Sequence, residues 1–260
     1  MPSLENHPVS KRTKLLLCGD SGSGKTAALA SLANAGYKLR IFDFDDGLDV
    51  LSALVKPDKM QNVHYVTLKD HRTNAGAFRN FVNMLENWKE DGGASLGGVN
   101  SWGEDVVVAI DTITFMGQAA LHDSLKRAGK KLTDQPSQPD WGDAMRNVEG
   151  MIDYLTSDNV KCNLVCTAHL QYYEDGNGVR AKQYPNIIGN KLAPKMGRYF
   201  NSVVRIDVKG SGTNVNRVFR TASDTKMDLK VARVDVPVEV DADLAKLFAM
   251  VQGSANTKKD

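Results

Sequence analysis

Short apolar runs alternate along this chain with longer stretches in which apolar residues recur every three or four positions. "KLLLC" (14–18) predicts a buried strand, and "TAALASLANAG" (26–36) an Ala/Leu-rich helix ending at Gly36. "YKLRIFDFD" (37–45) predicts a second strand. "GLDVLSALV" (47–55) predicts a helix stopped by Pro57, and "VHYVTL" (63–68) a third strand. "AGAFRNFVNMLENWKE" (75–90) has helical spacing, whereas "DGGASLGGVNSWG" (91–103) predicts a Gly/Ser-rich loop and no packed element. "DVVVAID" (105–111) predicts a fourth, fully buried strand, followed by a helix from Ile113 to about Ala128. Two prolines within 129–140 break that helix. "WGDAMRNVEGMIDYLTS" (141–157) resumes it, and "CNLVCTAHL" (162–170) predicts the fifth strand. Residues 171–191 are polar and Gly-rich, a long loop or hairpin. "SVVRIDV", "NRVFRT" and "DLKVARV" predict antiparallel strands with "GSGTNVN" as a turn, and "ADLAKLFAMV" (242–251) a final short helix.

Strands alternating with helices, and apolar throughout, predict an α/β fold: a doubly wound, mostly parallel sheet with C-terminal antiparallel strands. No internal repeat is visible. The length of 260 residues suits one domain over 12–252, with a flexible N-terminus (1–11) and a disordered tail (253–260). Ligands of such sheets sit at the carboxyl ends of the strands, where Asp45, Asp111 and His169 all fall.

Composition narrows the setting. No run of 18 apolar residues exists and the first residues carry no apolar signal segment, so no membrane span and a cytoplasmic location are expected. Cys18, Cys162 and Cys166 lack zinc-ligand spacing and read as buried reduced thiols. The net charge of +2 hides an asymmetry. Residues 160–233 hold 13 Lys and Arg against 5 Asp and Glu, a net +8, which leaves −6 for the remainder. A basic C-terminal half suits a polyanionic partner, against the plainer alternative of scattered surface charge.

The chemistry concentrates in one octapeptide: Gly19, Asp20, Ser21, Gly22, Ser23, Gly24, Lys25 and Thr26. It matches the phosphate-binding P-loop, and it stands between a strand and a helix, the order such a site needs. Its glycines let backbone N–H groups close around phosphates at a helix N-terminus. Lys25 would reach the β- and γ-phosphates and Thr26 would offer a hydroxyl to Mg²⁺. The plainer alternative is a flexible Gly/Ser turn with a solvated lysine. Asp111 closes "VVVAID", the Walker-B pattern of a rigid carboxylate for Mg²⁺; its alternative is a cap on the next helix, beside Thr112 and Thr114. Thr112 follows it instead of Glu, so a water-polarising carboxylate must come from elsewhere, and "FDFDDGLD" (42–49) supplies candidates.

"IFDFDDGLD" resembles the segment that follows the P-loop helix in RecA-type ATPases. The resemblance implies ATP and Mg²⁺, and it makes Asp45 the group that activates the attacking water. The family usually has Glu there, one methylene longer; Asp43 and Asp46 are the neighbouring alternatives, and a helix N-cap is the structural one. "LVCTAHLQ" (164–171) resembles the strand after which RecA-type proteins carry a polar γ-phosphate sensor. That implies His169 as sensor, where bacterial recombinases have Gln, with Gln171 as fallback and a carbonyl-bonded structural His as alternative. "RTASDTKMDLKVAR" (220–233) resembles a narrower group, phage-encoded RecA-like nucleotide-binding proteins associated with single-strand annealing and recombination. Trp141, the Thr167-Ala168-His169 run, Lys230 and Arg233 carry that likeness, which spans roughly residues 12–240.

That resemblance implies a homo-oligomeric ring or filament in a host cytoplasm. Lys230 and Arg233 would reach the neighbouring subunit's nucleotide, against the alternative of a solvated strand edge. It also implies single-stranded DNA as partner, and a single-strand DNA-binding protein as a further candidate. The matching DNA segments are 126–140 (Lys126, Arg127, Lys130, Lys131) and 171–195 (Tyr172, Tyr173, Arg180, Lys182, Tyr184, Lys191, Lys195). Three rivals stand beside this reading. A small-molecule kinase needs an arginine-rich lid near the P-loop, and residues 56–74 contain only Arg72. An assembly or loading factor would bind ATP with little turnover. A helicase shares the core, and no additional helicase domain is visible in the 260 residues.

Overall fold

The structure, a computed structural model, describes residues 12–71, 73–90, 92–174, 180–211, 214–233 and 235–253, without the side chains of Arg180 and Ala181. The expected flexible N-terminus, nearly all of the expected tail, and Arg72 lie outside the described residues.

Six strands run parallel. They are β1 (Lys14–Cys18), β2 (Lys38–Asp43), β3 (Val63–Thr67), β4 (Val106–Asp111), β5 (Asn163–Ala168) and β8 (Ser202–Ser211). β9 (Asn214–Arg220) and β10 (Glu239–Asp241) add antiparallel strands at one edge, giving the order β10-β9-β8-β1-β5-β4-β2-β3. The expected fold class is the one found. A separate hairpin, β6 (Leu170–Glu174) with β7 (Arg180–Pro185), leaves the end of β5.

Alternation along the buried strands feeds two cores. Leu16, Phe42, Val108, Ile110 and Cys166 pack on one side with α3 (Ala77–Glu86), α4 (Ile113–Arg127) and α5 (Gln138–Thr156). Leu15, Leu17, Ile41, Val107 and Val165 pack on the other with α1 (Lys25–Asn34), α2 (Asp49–Leu54) and α6 (Leu244–Gln252). Because β5 lies between β1 and β4, Thr167 and His169 stand between the P-loop and Asp111.

Three expectations need correction. The described residues 92–103 lack regular strands or long helices, yet they pack: Val99 and Trp102 are buried, and Trp102 meets Trp88 edge-on. The alternation of "DLKVARV" does not make a strand. Only Lys230 bridges to Val203, and the last strand is Glu239–Asp241. The edge of β8 that "DLKVARV" would fill is already taken by β9 from Arg205 onward. Finally, α5 starts three residues early. Pro139 lies in its first turn, where no backbone donor is needed, and Ser137 with Asp140 forms a capping box.

The antiparallel edge is held by charge. Arg205, 5% exposed on β8, donates to Asp207 and Asp224, both at 2.7 Å, and Arg220 joins Asp207 at 3.3 Å to Glu239 at 2.8 Å. Burial opposes ionisation of Asp224, but the Arg205 guanidinium and two backbone N–H groups hold its pKa at about 2. That pKa lies below the unfolded value, so the stabilisation is complete above pH ~4 and disappears as pH falls toward 2. Asp224→Asn is therefore expected to lower stability at pH 7 by about 2 kcal/mol. It should also remove part of the acid sensitivity between pH 4 and 2, as read by urea unfolding across that range.

Candidate nucleotide site

β1 delivers residues 19–26 to the carboxyl edge of the sheet, and the Gly19 N–H donates to the Ala168 carbonyl at 3.1 Å. Gly19 has no room for a Cβ, which would meet Ile206 and Ser23, and Gly24 adopts φ of 100°. Those two positions require glycine. Ser23 Oγ is buried with no hydrogen-bond partner.

Lys25, the first residue of α1, is 5% exposed; its ammonium donates to the carbonyls of Gly19 (3.0 Å) and Asp20 (2.9 Å) and lies 3.4 Å from His169 Nδ1. A cation held on the loop's own carbonyls at the start of a helix fits a polyphosphate. The alternative of a solvated lysine is excluded by this burial.

Thr26 Oγ1 donates to Asp111 Oδ2 at 2.6 Å, and Thr167 Oγ1 hydrogen-bonds to the other carboxylate oxygen. Burial pushes the Asp111 carboxyl above its ordinary range, against those two donors. Thr112, not Asp111, caps α4, by accepting from the Phe115 N–H, so the capping alternative for Asp111 falls. The Asp111–Thr112 peptide is cis. A hydroxyl and one carboxylate are hard oxygen donors that suit Mg²⁺, which completes its shell with water and phosphate. Among the described residues no group of three or more His, Cys, Asp or Glu side chains could hold a metal by itself.

Geometry separates the three aspartates after β2. Asp43 is buried and accepts the N–H groups of Asp45 (3.1 Å) and Asp46 (2.8 Å), which shapes the turn. Asp46 faces Lys69 at 3.2 Å. Asp45 is the one of the three that faces His169, its Oδ2 3.8 Å from His169 Nε2. The N-cap of α2 is Leu48, so Asp45 is not that helix's cap.

The His169 ring lies between Lys25 and Asp45, with neither nitrogen on a backbone carbonyl. Burial, reinforced by Lys25, lowers its pKa below the ordinary value against the opposing pull of Asp45. A neutral ring with one donor and one acceptor can read a phosphate oxygen. The His169 backbone is also fixed: its N–H donates to Thr114 Oγ1 (3.1 Å) and its carbonyl accepts from the Asn186 N–H (2.7 Å). Gln171 lines the groove beyond Thr114 and Asn186.

Lys230 and Arg233 are not brought to this site in the same chain. Lys230 is exposed beside Val203, and Arg233 pairs with Asp235 at 3.1 Å and lies against Gly253 at the end of α6. Of the first DNA segment, Lys126 donates to Asn74 and Ala75, Arg127 pairs with Asp123 and Asp143, and Lys130 pairs with Asp140; Lys131 is exposed. In the second, Lys182 pairs with Asp228 and Tyr173 meets Tyr184 edge-on, while Lys191 and Lys195 are exposed. The Arg180 side chain lies outside the described residues.

Two residues near the site had no role assigned from the sequence, where Thr167 entered only as part of the Thr167-Ala168-His169 likeness. Thr167 is the one hydroxyl in the apolar run of β5, a signal that could have found it. Arg217 on β9 donates from Nε to the Ser23 carbonyl at 3.1 Å, and no local pattern points to it.

A family profile described as "AAA domain" matches residues 11–231. The chain belongs to the AAA domain family. It is an AAA-type P-loop ATPase domain, and the strand–loop–helix geometry around Lys25 agrees with that. No curated protein matches the chain. Among solved structures it is similar to the flagellar accessory protein FlaH from Methanocaldococcus jannaschii (10% identity, 83% of this chain, 79% of that one, TM-score 0.41). It is also similar to the KaiC-like protein PH0186 from Pyrococcus horikoshii OT3 (11%, 80% and 76%, 0.39). A third is an ATPase of the type III secretion system of pathogenic bacteria (12%, 75% and 52%, 0.44), of which the chain spans about half the length. No helix of the described residues is long and apolar enough to cross a membrane.

For this AAA-family site, Lys25→Ala is expected to weaken Mg-ATP binding by about 100-fold, the loss of roughly 3 kcal/mol of charge-assisted contact. Titration with a fluorescent nucleotide measures this, with circular dichroism confirming the fold.

Proposed function

We propose that this chain is an ATPase that acts on single-stranded DNA in phage-type recombination, annealing or replication. Lys25 and the loop N–H groups bind the phosphates, Thr26 and Asp111 hold Mg²⁺, and Asp45 polarises the attacking water. A Mg²⁺ ion held there would neutralise phosphate charge. His169 reads the γ-phosphate. Residues 12–252 act as one domain. Lys230 and Arg233 act on a neighbouring subunit in a ring or filament, a role that suits their distance from their own Lys25.

One observation carries the DNA assignment: the His169 backbone is hydrogen-bonded to the wall of a second groove. Thr114 accepts from His169 and donates to the Asn186 carbonyl at 2.6 Å. Both residues line a groove between α4, α5 and residues 186–191, together with exposed Trp141, Gln171 and Lys191. An exposed indole can stack a base, amides can meet base edges, and a lysine can neutralise a phosphate. The net +8 of residues 160–233 supports the same partner.

A second reading, an assembly or loading factor with little turnover, is favoured by one feature. Asp45 is one methylene shorter than the Glu of the family it resembles, which limits its reach. Steady-state ATP hydrolysis with and without oligo(dT) separates the two. The ATPase reading expects clear stimulation, lost in Lys25→Ala, and Trp141→Ala should raise the oligo(dT) concentration needed by roughly tenfold. Tight ATP binding without turnover under either condition would support the loading factor instead.

A further inference from the structure

The groove beside Trp141 holds little charge of its own. Five amides line it, Gln118, Gln138, Gln171, Asn186 and Asn190, and among the described residues no carboxylate does. Among them, too, Lys191 is its one permanent cation and His122 its one other ionisable side chain. The nearby basic residues of the first DNA segment are engaged elsewhere: Lys126 with Asn74 and Ala75, Arg127 with Asp123 and Asp143, and Lys130 with Asp140. The charge this groove offers a polyanion therefore depends on the state of His122.

Thr114, Gln118 and His122 follow at four-residue steps on α4 and form one stripe along it. The stripe starts where Thr114 meets the His169 N–H and ends at Asp70, which fixes the His122 ring. His122 Nδ1 lies 2.9 Å from Asp70 Oδ2, and Asp70 Oδ1 accepts the N–H groups of Gly76 and Ala77, both at 2.8 Å. Burial opposes ionisation of Asp70, but His122 and these two N–H groups hold its carboxyl below the ordinary range. An ionised carboxylate can only accept, so Nδ1 carries a hydrogen and donates. Nε2 has no hydrogen-bond partner among the described residues, and the ring lines the groove. Without a second proton Nε2 is an acceptor, with nothing to offer a phosphate oxygen. With one it is a charged donor held in place by Asp70.

We infer that His122, held by Asp70, is a phosphate-binding residue of this groove and that its protonation sets how tightly the groove holds a single strand, a role that rests on the groove being the DNA site. Other charged groups face the ring. Asp45 and Lys69 line the smaller cavity on its other side, with Lys69 paired to Asp46. Asp123 on α4 is paired with Arg79 and Arg127, and His71, next to Asp70, is exposed. Carboxylates, lysines and arginines ordinarily keep their charge between about pH 6 and 8, where an imidazole changes its own.

Fluorescence anisotropy of oligo(dT) with the full chain, at about pH 6 and pH 8 and across a range of salt, tests this. The parent should bind about tenfold more tightly at the lower pH, the worth of one charge-assisted hydrogen bond. Its log–log salt slope should steepen there by about 0.7, the signature of one more phosphate contact on a single strand. His122→Gln should show neither change, with circular dichroism confirming its fold. Asp70→Asn gives a second reading: its carbonyl can keep Gly76 and Ala77 while its amide meets Nδ1, so the pH difference should shrink. A pH difference and slope change that persist in His122→Gln would overturn the assignment, as would a parent indifferent to pH. Trp141→Ala should weaken binding by the same factor at both pH values. If it has no effect, or if the parent binds no oligo(dT), the groove reading itself fails and the role of His122 with it.

Discussion

A carboxylate buried at the end of a central strand must be held by donors, and the rest of this site is arranged around that need. Asp111 is fully buried, and its two oxygens are taken by Thr26 from the phosphate loop and Thr167 from the intervening strand. These bonds tie β1, β5 and β4 together at their carboxyl ends. They fix the start of α1, and therefore Lys25, relative to Asp111. A divalent cation beside the carboxylate would relieve the same electrostatic cost, which is why this place suits a metal-bound phosphate.

The second organising element is His169, where the strand β5 becomes the hairpin strand β6. Its ring faces Lys25 and Asp45, while its N–H and carbonyl bind Thr114 and Asn186 of the neighbouring groove. A change at the ring that shifts this backbone must disturb Thr114 and Asn186 together. On the other flank Arg217 ties the loop to the β8–β9 hairpin, whose base is locked by Arg205, Asp207 and Asp224. The phosphate loop is thus held between two structures that extend beyond the sheet.

Much of this was legible in the sequence because it is local. The eight residues from Gly19 to Thr26 carry their conformation in their own glycines, and "VVVAID" announces a buried strand ending in a carboxylate. What was not legible depends on register or on distant contact. Asp43, Asp45 and Asp46 look alike in sequence, and only the turn that folds two N–H groups onto Asp43 leaves Asp45 facing His169. "DLKVARV" alternates like a strand, but β9 already occupies the edge it would need. The Gly-rich stretch 91–103 hid two core residues, because Val99 and Trp102 are set by packing against Trp88 and carry no period. Arg217 meets Ser23 across most of the chain, a contact no pattern announces.

If the state of the nucleotide site reaches the groove through His169, as proposed, nucleotide must change the affinity for single-stranded DNA. The direct measurement is the affinity of the full chain for oligo(dT), by fluorescence anisotropy, with and without a non-hydrolysable Mg-ATP analogue, in parent and His169→Ala. The analogue is expected to tighten binding in the parent by at least about tenfold, a coupling of roughly 1.4 kcal/mol, and His169→Ala to abolish the difference. Equal affinity with and without the analogue in the parent, or an unchanged difference in the variant, would contradict it.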